Sequence, residues 1–263
     1  MDLGLGGRVA LVAAASRGLG KAIAWELARE GAAVAICARG KEDLKRTAQE
    51  IAEDTGSRVL AVTADVTVTR DVLNLVDTVV RNLGRLDILV NNAGGPPPGP
   101  SLTFSDEDWR AALELNLLST VRLTRAAVPH MKANGWGRII NLTSVAVKQP
   151  IPDLVLSNAA RSGVIALAKT LALELAPDGI TVNSVCPGFT RTERVLELAQ
   201  ARAEREGMDL EEVLAAYERQ IPMGRMGRPE ELAALVSFLA SERAAYITGT
   251  AVQVDGGYVR GIL

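Results

Sequence analysis

The 263-residue chain carries a formal net charge of −2 and is 48% hydrophobic but only 3% aromatic. It is long enough to bury roughly three quarters of its unfolded surface without disulfides or a metal, and its core has to come from Ala, Val, Leu and Ile. No block of like charge invites nucleic acid or an anionic membrane, the single histidine, His130, excludes a histidine-rich metal site, and no run reaches the roughly 18 apolar residues of a membrane span.

Arg8 to Ala14 is a continuous apolar run and predicts the first strand. With Arg8 ahead of it the run imitates a signal core. It is short, however, follows Asp2 and leads into a glycine-rich turn, so it reads as a buried strand of a cytoplasmic protein. Gly18 to Glu30 carries helical spacing, Ala33 to Ala38 a second strand and Lys41 to Asp54 a charged helix. Arg58 to Ala64 predicts the third strand, Thr69 to Leu83 a helix and Asp87 to Val90 the fourth strand. The loop Pro96-Pro97-Pro98-Gly99-Pro100 follows, rigid by composition. One long helix is expected from about Ser105 to Ala133, with Ser105 as N-cap ahead of three acids. Arg138 to Leu142 predicts the fifth strand, Asp153 to Leu175 a helix and Ile180 to Val185 the sixth strand. Two charged helices span Glu193 to Gln220, another covers Pro229 to Ala240, and Ala251 to Val254 closes the sheet.

Short apolar strands alternating with amphipathic helices predict repeated βαβ units. The expectation is an α/β, Rossmann-type doubly wound fold with a parallel sheet covered on both faces. It forms one domain over 1–263, with a helical lid insertion at about 192–226. Cys37 and Cys186 lie in apolar runs and read as buried free thiols, which suits a reducing compartment.

After the first strand, Ala14-Ala15-Ser16-Arg17-Gly18-Leu19-Gly20 opens a helix. Glycines let backbone approach a diphosphate, and a helix N-terminus offers unpaired N–H groups to it. The second strand ends Ile36-Cys37-Ala38-Arg39, without the acid that would accept a free ribose diol. Arg17 and Arg39 would instead clasp a 2′-phosphate, which favours NADP(H), with NAD(H) as second choice.

The ordered set of motifs resembles the short-chain dehydrogenase/reductase family across nearly the whole length, and within it the 3-oxoacyl-carrier-protein reductase-like members. Ala13, Ala14, Gly18 and Gly20 fall on the family's Thr-Gly-x-x-x-Gly-x-Gly loop. Asp65-Val66 falls on the adenine contact and Asn91-Asn92-Ala93-Gly94 on the motif after the fourth strand. Asn116 falls on the helix asparagine of the proton relay, and Ser144 on the serine that binds the substrate carbonyl. Pro187-Gly188, with Thr190 and Thr192, falls on the loop over the nicotinamide, and Asp255-Gly256-Gly257 on the usual ending. The resemblance implies seven strands in the order 3-2-1-4-5-6-7 and a homotetramer, or homodimer, built on the helices at about 105–133 and 153–175. Leu113, Leu117, Val121, Val164, Leu167 and Leu171 supply apolar faces there, which suit such packing or packing on their own sheet.

Two departures stand out. Ala14 replaces a glycine and is expected at worst to weaken cofactor binding. Ser157 and Arg161 replace the Tyr and Lys of the family's Tyr-x-x-x-Lys pair. A serine hydroxyl is a far weaker acid than a phenol, whose pKa is about 10, and arginine does not give up its proton. Arg161 can still hold ribose hydroxyls. Lys148 and Asp153, in the loop between Ser144 and Ser157, and Tyr217 in the lid are the stand-ins to weigh. The residues therefore leave two functions open. One is an NADP(H)-dependent oxidoreductase acting on a small-molecule carbonyl or alcohol, with Asn116, Ser144, Ser157 and Arg161 at its centre. The other is a catalytically degenerate nucleotide-binding protein acting as a sensor or assembly partner. No metal is expected in either.

Overall fold

A computed structural model describes residues 2–262. Its seven strands are β1 (Val9–Val12), β2 (Ala33–Ala38), β3 (Val59–Thr63), β4 (Ile88–Asn91), β5 (Gly137–Leu142), β6 (Ile180–Pro187) and β7 (Ala251–Val254). They form one parallel sheet in the order β3-β2-β1-β4-β5-β6-β7, as expected. The order reverses between β1 and β4. A crevice therefore opens at their carboxyl ends, where ligands bind in such sheets.

Alternation along β1 shows how the layers are filled. Ala10 and Val12 face α1 (Gly18–Arg29), α2 (Lys41–Thr55) and α9 (Pro229–Leu239), among Ile23, Leu27, Leu44, Ile51, Leu232 and Val236. Val9 and Leu11 face α3 (Thr69–Leu83), α5 (Ser119–Asn134) and α6 (Val155–Leu175), among Leu75, Val79, Leu123, Met131 and Ala172. A third, smaller core lies under α7 (Glu193–Glu206) and α8 (Leu210–Gln220), built on Cys186, Val213, Tyr217, Ile221 and Tyr258. Cys37 and Cys186 are both buried and free. No helix among the described residues is long and apolar enough to cross a membrane.

Three boundaries differ from expectation for local reasons. β1 stops at Val12 because Ala14 turns into the left-handed region, at φ 48. α6 begins at Val155 because Asp153 sits at φ 61, which no helix accommodates. The long helix is divided into α4 (Asp106–Leu113), a π-helical segment (Glu114–Leu118) and α5. Its start matches expectation: Ser105 and Asp108 cap each other reciprocally. Leu117 lies against Gly163 of α6, Val164 is buried and Leu171 packs on the sheet-side core, so these apolar residues serve the chain's own packing. Leu113, Leu118 and Leu173 remain exposed.

Candidate active site and cofactor crevice

The turn after β1 is held from three sides. Ala13 N donates to Val90 O and Ala15 N to Cys37 O, while Thr47 of α2 donates its hydroxyl to Ser16 O at 2.8 Å. Asn92 donates Nδ2 to Ala13 O and Ala14 O at 3.2 Å each, tying β4's end to the turn. Arg17 is the N-cap of α1 and makes no side-chain cap, so the first-turn N–H groups at Gly18, Leu19 and Gly20 stay free for an anion. At Gly20 a Cβ would overlap the Ala14 carbonyl and reach Ala15 Cα and Asn92 Nδ2 at 2.9 Å. Glycine there lets α1 start directly against the backbone of the turn, which sets its free N–H groups at the crevice. Gly20→Ala is accordingly expected to weaken NADPH binding at least about ten-fold and destabilise the fold by about 1–3 kcal/mol. Calorimetric titration and thermal melting check both.

Ala14 fits differently. Its methyl is carried in a conformation that costs a non-glycine residue roughly 1–2 kcal/mol, and the surrounding hydrogen bonds hold it there. Burial, opposed by the Ala14 backbone hydrogen bond, pushes the Cys37 thiol beneath up to about 12. That thiol is therefore inert.

Asp65 accepts hydrogen bonds from the Thr67 hydroxyl and N–H at 2.7 and 2.9 Å. Burial raises its carboxyl, but these bonds and the nearby Arg39 charge outweigh that and hold it below the usual range. Val66 beside it is buried. Arg39 is exposed, whereas Arg17 is ion-paired with Glu193 and Glu197 of α7 at 2.9 and 3.8 Å. The two expected phosphate-clasping arginines thus differ: one is free and one is shared with the lid.

At the far end, Pro187 ends β6, and a Cβ on Gly188 would meet Asp255 Cα at 2.8 Å. Thr190 is buried and bridges to Gly227. Thr192 caps α7, its methyl 3.9 Å from where a Gly18 Cβ would stand, so the lid begins directly over the glycine loop.

Ser157 and Arg161 form a unit of their own. Arg161 Nε donates to Ser157 Oγ at 3.1 Å, Nη1 to Leu142 O at 2.9 Å and Thr143 O at 3.1 Å, and Nη2 to Ala93 O at 3.4 Å. One Nη2 hydrogen is left over. The guanidinium therefore ties the ends of β4 and β5 to α6. Burial, aided by the neighbouring Arg194 charge, pushes Arg161 down to about 10. Ser157 Oγ accepts from Arg161 and keeps its own hydrogen. Ser144 Oγ likewise accepts, from Ala146 N at 3.1 Å, and keeps its own. Thr143 O, just ahead of Ser144 in the chain, accepts from the same guanidinium, so Arg161 ties the backbone that carries Ser144 to Ser157.

Asn116 lies buried in the π-helical segment. It donates Nδ2 to Gly94 O at 2.9 Å, while its Oδ1 has no partner among the described residues. Behind it, Asn91 donates to Asn141 Oδ1 at 2.8 Å and Thr124 Oγ1 at 3.1 Å.

Two of the three stand-ins weighed from the sequence, Tyr217 and Asp153, are otherwise engaged; Lys148 makes no ion pair among the described residues. Tyr217 stacks on Phe189 with centroids 4.6 Å apart, and no hydrogen bond joins it to Ser144, Ser157 or Arg161 among the described residues. Asp153 pairs with Arg205 at 3.1 Å, and its carbonyl accepts Gly99 N at 2.8 Å, docking the proline loop. Arg194 was not anticipated from the sequence: it reaches from α7 to Pro96 O at 3.0 Å. Within a run of lid charges nothing distinguishes it from its neighbours.

Residues 13–259 match the family model described as enoyl-(acyl carrier protein) reductase. The chain is 40% identical over 249 residues to the short-chain reductase protein NovJ of Streptomyces niveus, covering 95% of this chain and 93% of the relative. It is 37% identical over 257 residues to the 3-oxoacyl-[acyl-carrier-protein] reductase FabG of Aquifex aeolicus, covering 98% and 99%. Among solved structures, L-sorbose reductase from Gluconobacter frateurii, complexed with NADPH and L-sorbose, superposes with a TM-score of 0.95 at 37% identity over 100% of both chains.

Proposed function

Since the chain belongs to the short-chain dehydrogenase/reductase family and is 3-oxoacyl-carrier-protein reductase-like, we propose that this oxidoreductase uses NADP(H) to reduce a small-molecule carbonyl or oxidise the corresponding alcohol, with an atypical proton donor. The observation that carries the reading is Ser157 Oγ held by the Arg161 guanidinium, which also fastens the carbonyl just ahead of Ser144; each serine oxygen accepts one bond and donates none among the described residues. Three-oxoacyl thioesters belong in the substrate panel as the class that the name of one relative points to, to be compared there with other carbonyl compounds.

The residues at the crevice suit the cofactor. The free N–H groups at the start of α1 and the bare Gly20 would take the diphosphate, Arg39 and Arg17 the 2′-phosphate, and Asp65-Val66 the adenine. Asn92, Ala93, Gly94, Pro187, Gly188, Thr190 and Thr192 would border the nicotinamide half. When bound, the nicotinamide supplies or accepts the hydride. The protein's own part is to stabilise charge on the substrate oxygen and to move one proton.

In the reduction direction, Ser144 donates its O–H to the substrate oxygen as negative charge grows there. Ser157 donates the second hydrogen bond, its O–H polarised because Oγ already accepts from Arg161 Nε. The proton that completes the alcohol passes from Ser157 Oγ and is replaced from water. Serine being a weak acid, this step is slow compared with one using a phenol. Asn116, its Oδ1 unpaired, is placed to hold a water on that route.

Purified protein, NADPH and a panel of ketones test the reading through the absorbance of the reduced nicotinamide. Sustained turnover without added relatives is expected. Tight NADPH binding with none sinks it and leaves the second reading, a nucleotide sensor or assembly partner, which the lack of any phenol bonded into the site favours. Cofactor choice has its own test. Arg39→Ala is expected to raise the Kd for NADPH about ten-fold and leave NADH unchanged, since only the 2′-phosphate needs a charge-assisted partner. Equal loss for both would remove Arg39 from that role. Assembly as a homotetramer or homodimer and a cytoplasmic location belong to the same proposal; exposed Leu113, Leu118 and Leu173 support the former.

A further inference from the structure

Around the mouth of the crevice the acids are all engaged, whereas two cations, Arg161 and Lys148, have no acid partner among the described residues. Glu193 is paired with Arg17, and Glu197 is shared between Arg17 at 3.8 Å and Arg194 at 3.4 Å. Asp153 is paired with Arg205, and Asp255 accepts backbone N–H groups of Gly257 and Val259. Arg161, by contrast, is 9% exposed and bonds only to carbonyls and a hydroxyl. The one charge acting on it is another cation, Arg194. Lys148, between Ser144 and Ser157, makes no ion pair among the described residues, and its charge reaches the buried Cys186. A partly buried site with this excess of positive charge favours an anion.

The guanidinium of Arg194 is placed to receive one. It spans from the lid to the loop after β4, donating to Pro96 O at 3.0 Å. Gly95 makes room for it: a Cβ there would stand 3.3 Å from Arg194 Nη2 and 3.4 Å from Nε. Nη1 reaches Glu197 only at 3.4 Å, and Nε and the second Nη2 hydrogen have no partner among the described residues, which leaves donors for a carboxylate. Arg194 meets the phosphate-side Arg17 only through Glu197, while its bond to Pro96 O sets it on the same loop whose Ala93 O accepts from Arg161.

We propose, on the basis of the oxidoreductase reading, that the carbonyl substrate bears a free carboxylate near its reacting oxygen, gripped by Arg194 between lid and proline loop with Arg161 behind it. Arg194 is then a specificity-determining residue. It selects an oxo acid over the matching ester or thioester, because only the acid neutralises the cations it meets.

The test compares acetoacetate with methyl acetoacetate, by calorimetric titration into the protein with saturating NADP+ and by turnover with NADPH. Acetoacetate is expected to bind at least about ten-fold more tightly. Arg194→Gln is expected to bring the two affinities together while leaving NADPH affinity unchanged, and Arg194→Lys to restore most of the difference. Gly95→Ala, which crowds the guanidinium without changing charge, should reduce the preference part of the way. Equal binding of acid and ester, no binding of either, or a preference indifferent to Arg194→Gln would overturn the proposal. Preferential binding of acetoacetate with no oxidation of NADPH would instead sink the oxidoreductase reading and leave the anion site standing.

Discussion

Ser157→Tyr combined with Arg161→Lys is expected to raise ketone turnover with NADPH by roughly 100-fold or more, the usual contribution of a positioned general acid. Ser157 is set on α6 one helical turn before Arg161, with its hydroxyl held by the guanidinium. A tyrosine there carries its hydroxyl several ångströms further toward the substrate, and its pKa of about 10 suits proton donation far better than serine's. A lysine ammonium at 161 keeps a cation beside that phenol and can lower its pKa. The rise is read from initial rates at saturating NADPH, with cofactor affinity measured alongside. Unchanged or slower turnover with intact NADPH binding would mean that the native site already has an equivalent acid, and the Ser157 route would have to be abandoned.

Ser144→Ala carries the second large effect. The Ser144 hydroxyl accepts from Ala146 N and caps the short 3-10 turn Val145–Val147, which fixes the oxygen while its hydrogen has no acceptor among the described residues. Losing one such donor costs roughly 100- to 1,000-fold in kcat where charge develops on oxygen. The cap contributes about 1 kcal/mol of stability, so a small fall in Tm is also expected. NADPH affinity should stay within about two-fold, because no cofactor role falls on this side chain in the proposal. Where native turnover is too slow to follow, the same comparison can be made in the double variant. A kcat loss of only a few-fold would transfer the carbonyl-binding role to another group.

The sheet was readable because its strands are short runs of Val, Ile, Ala and Leu between periodic helices, and those runs became β1 to β7 with small shifts at the ends. Strand order came only with the family resemblance, since nothing in an apolar run says which neighbour it takes. The π-helical segment was hidden because its apolar residues continue the spacing on either side. Ala14 concealed a left-handed turn that a glycine would have announced. Placing Ser157 and Arg161 in the site needed only spacing from Ser144. That the guanidinium would fasten Leu142 O and Thr143 O was not legible, because it depends on where β5 ends relative to α6. Tyr217 draws notice as an acid only by its position between Thr192 and Met226; in the structure its ring stacks on Phe189, which spacing in the sequence does not reveal.

Because Arg161 both fastens two strand ends and polarises Ser157, any exchange there is judged twice, by folding and by rate. Arg161→Lys alone abandons bonds to buried carbonyls, each about 1–3 kcal/mol when left unmade, and gains no acid. Ser157→Tyr alone sets a phenol against a guanidinium already fixed elsewhere. A change from Ser157 and Arg161 to a Tyr-Lys pair is therefore expected to be epistatic, with each single step disfavoured.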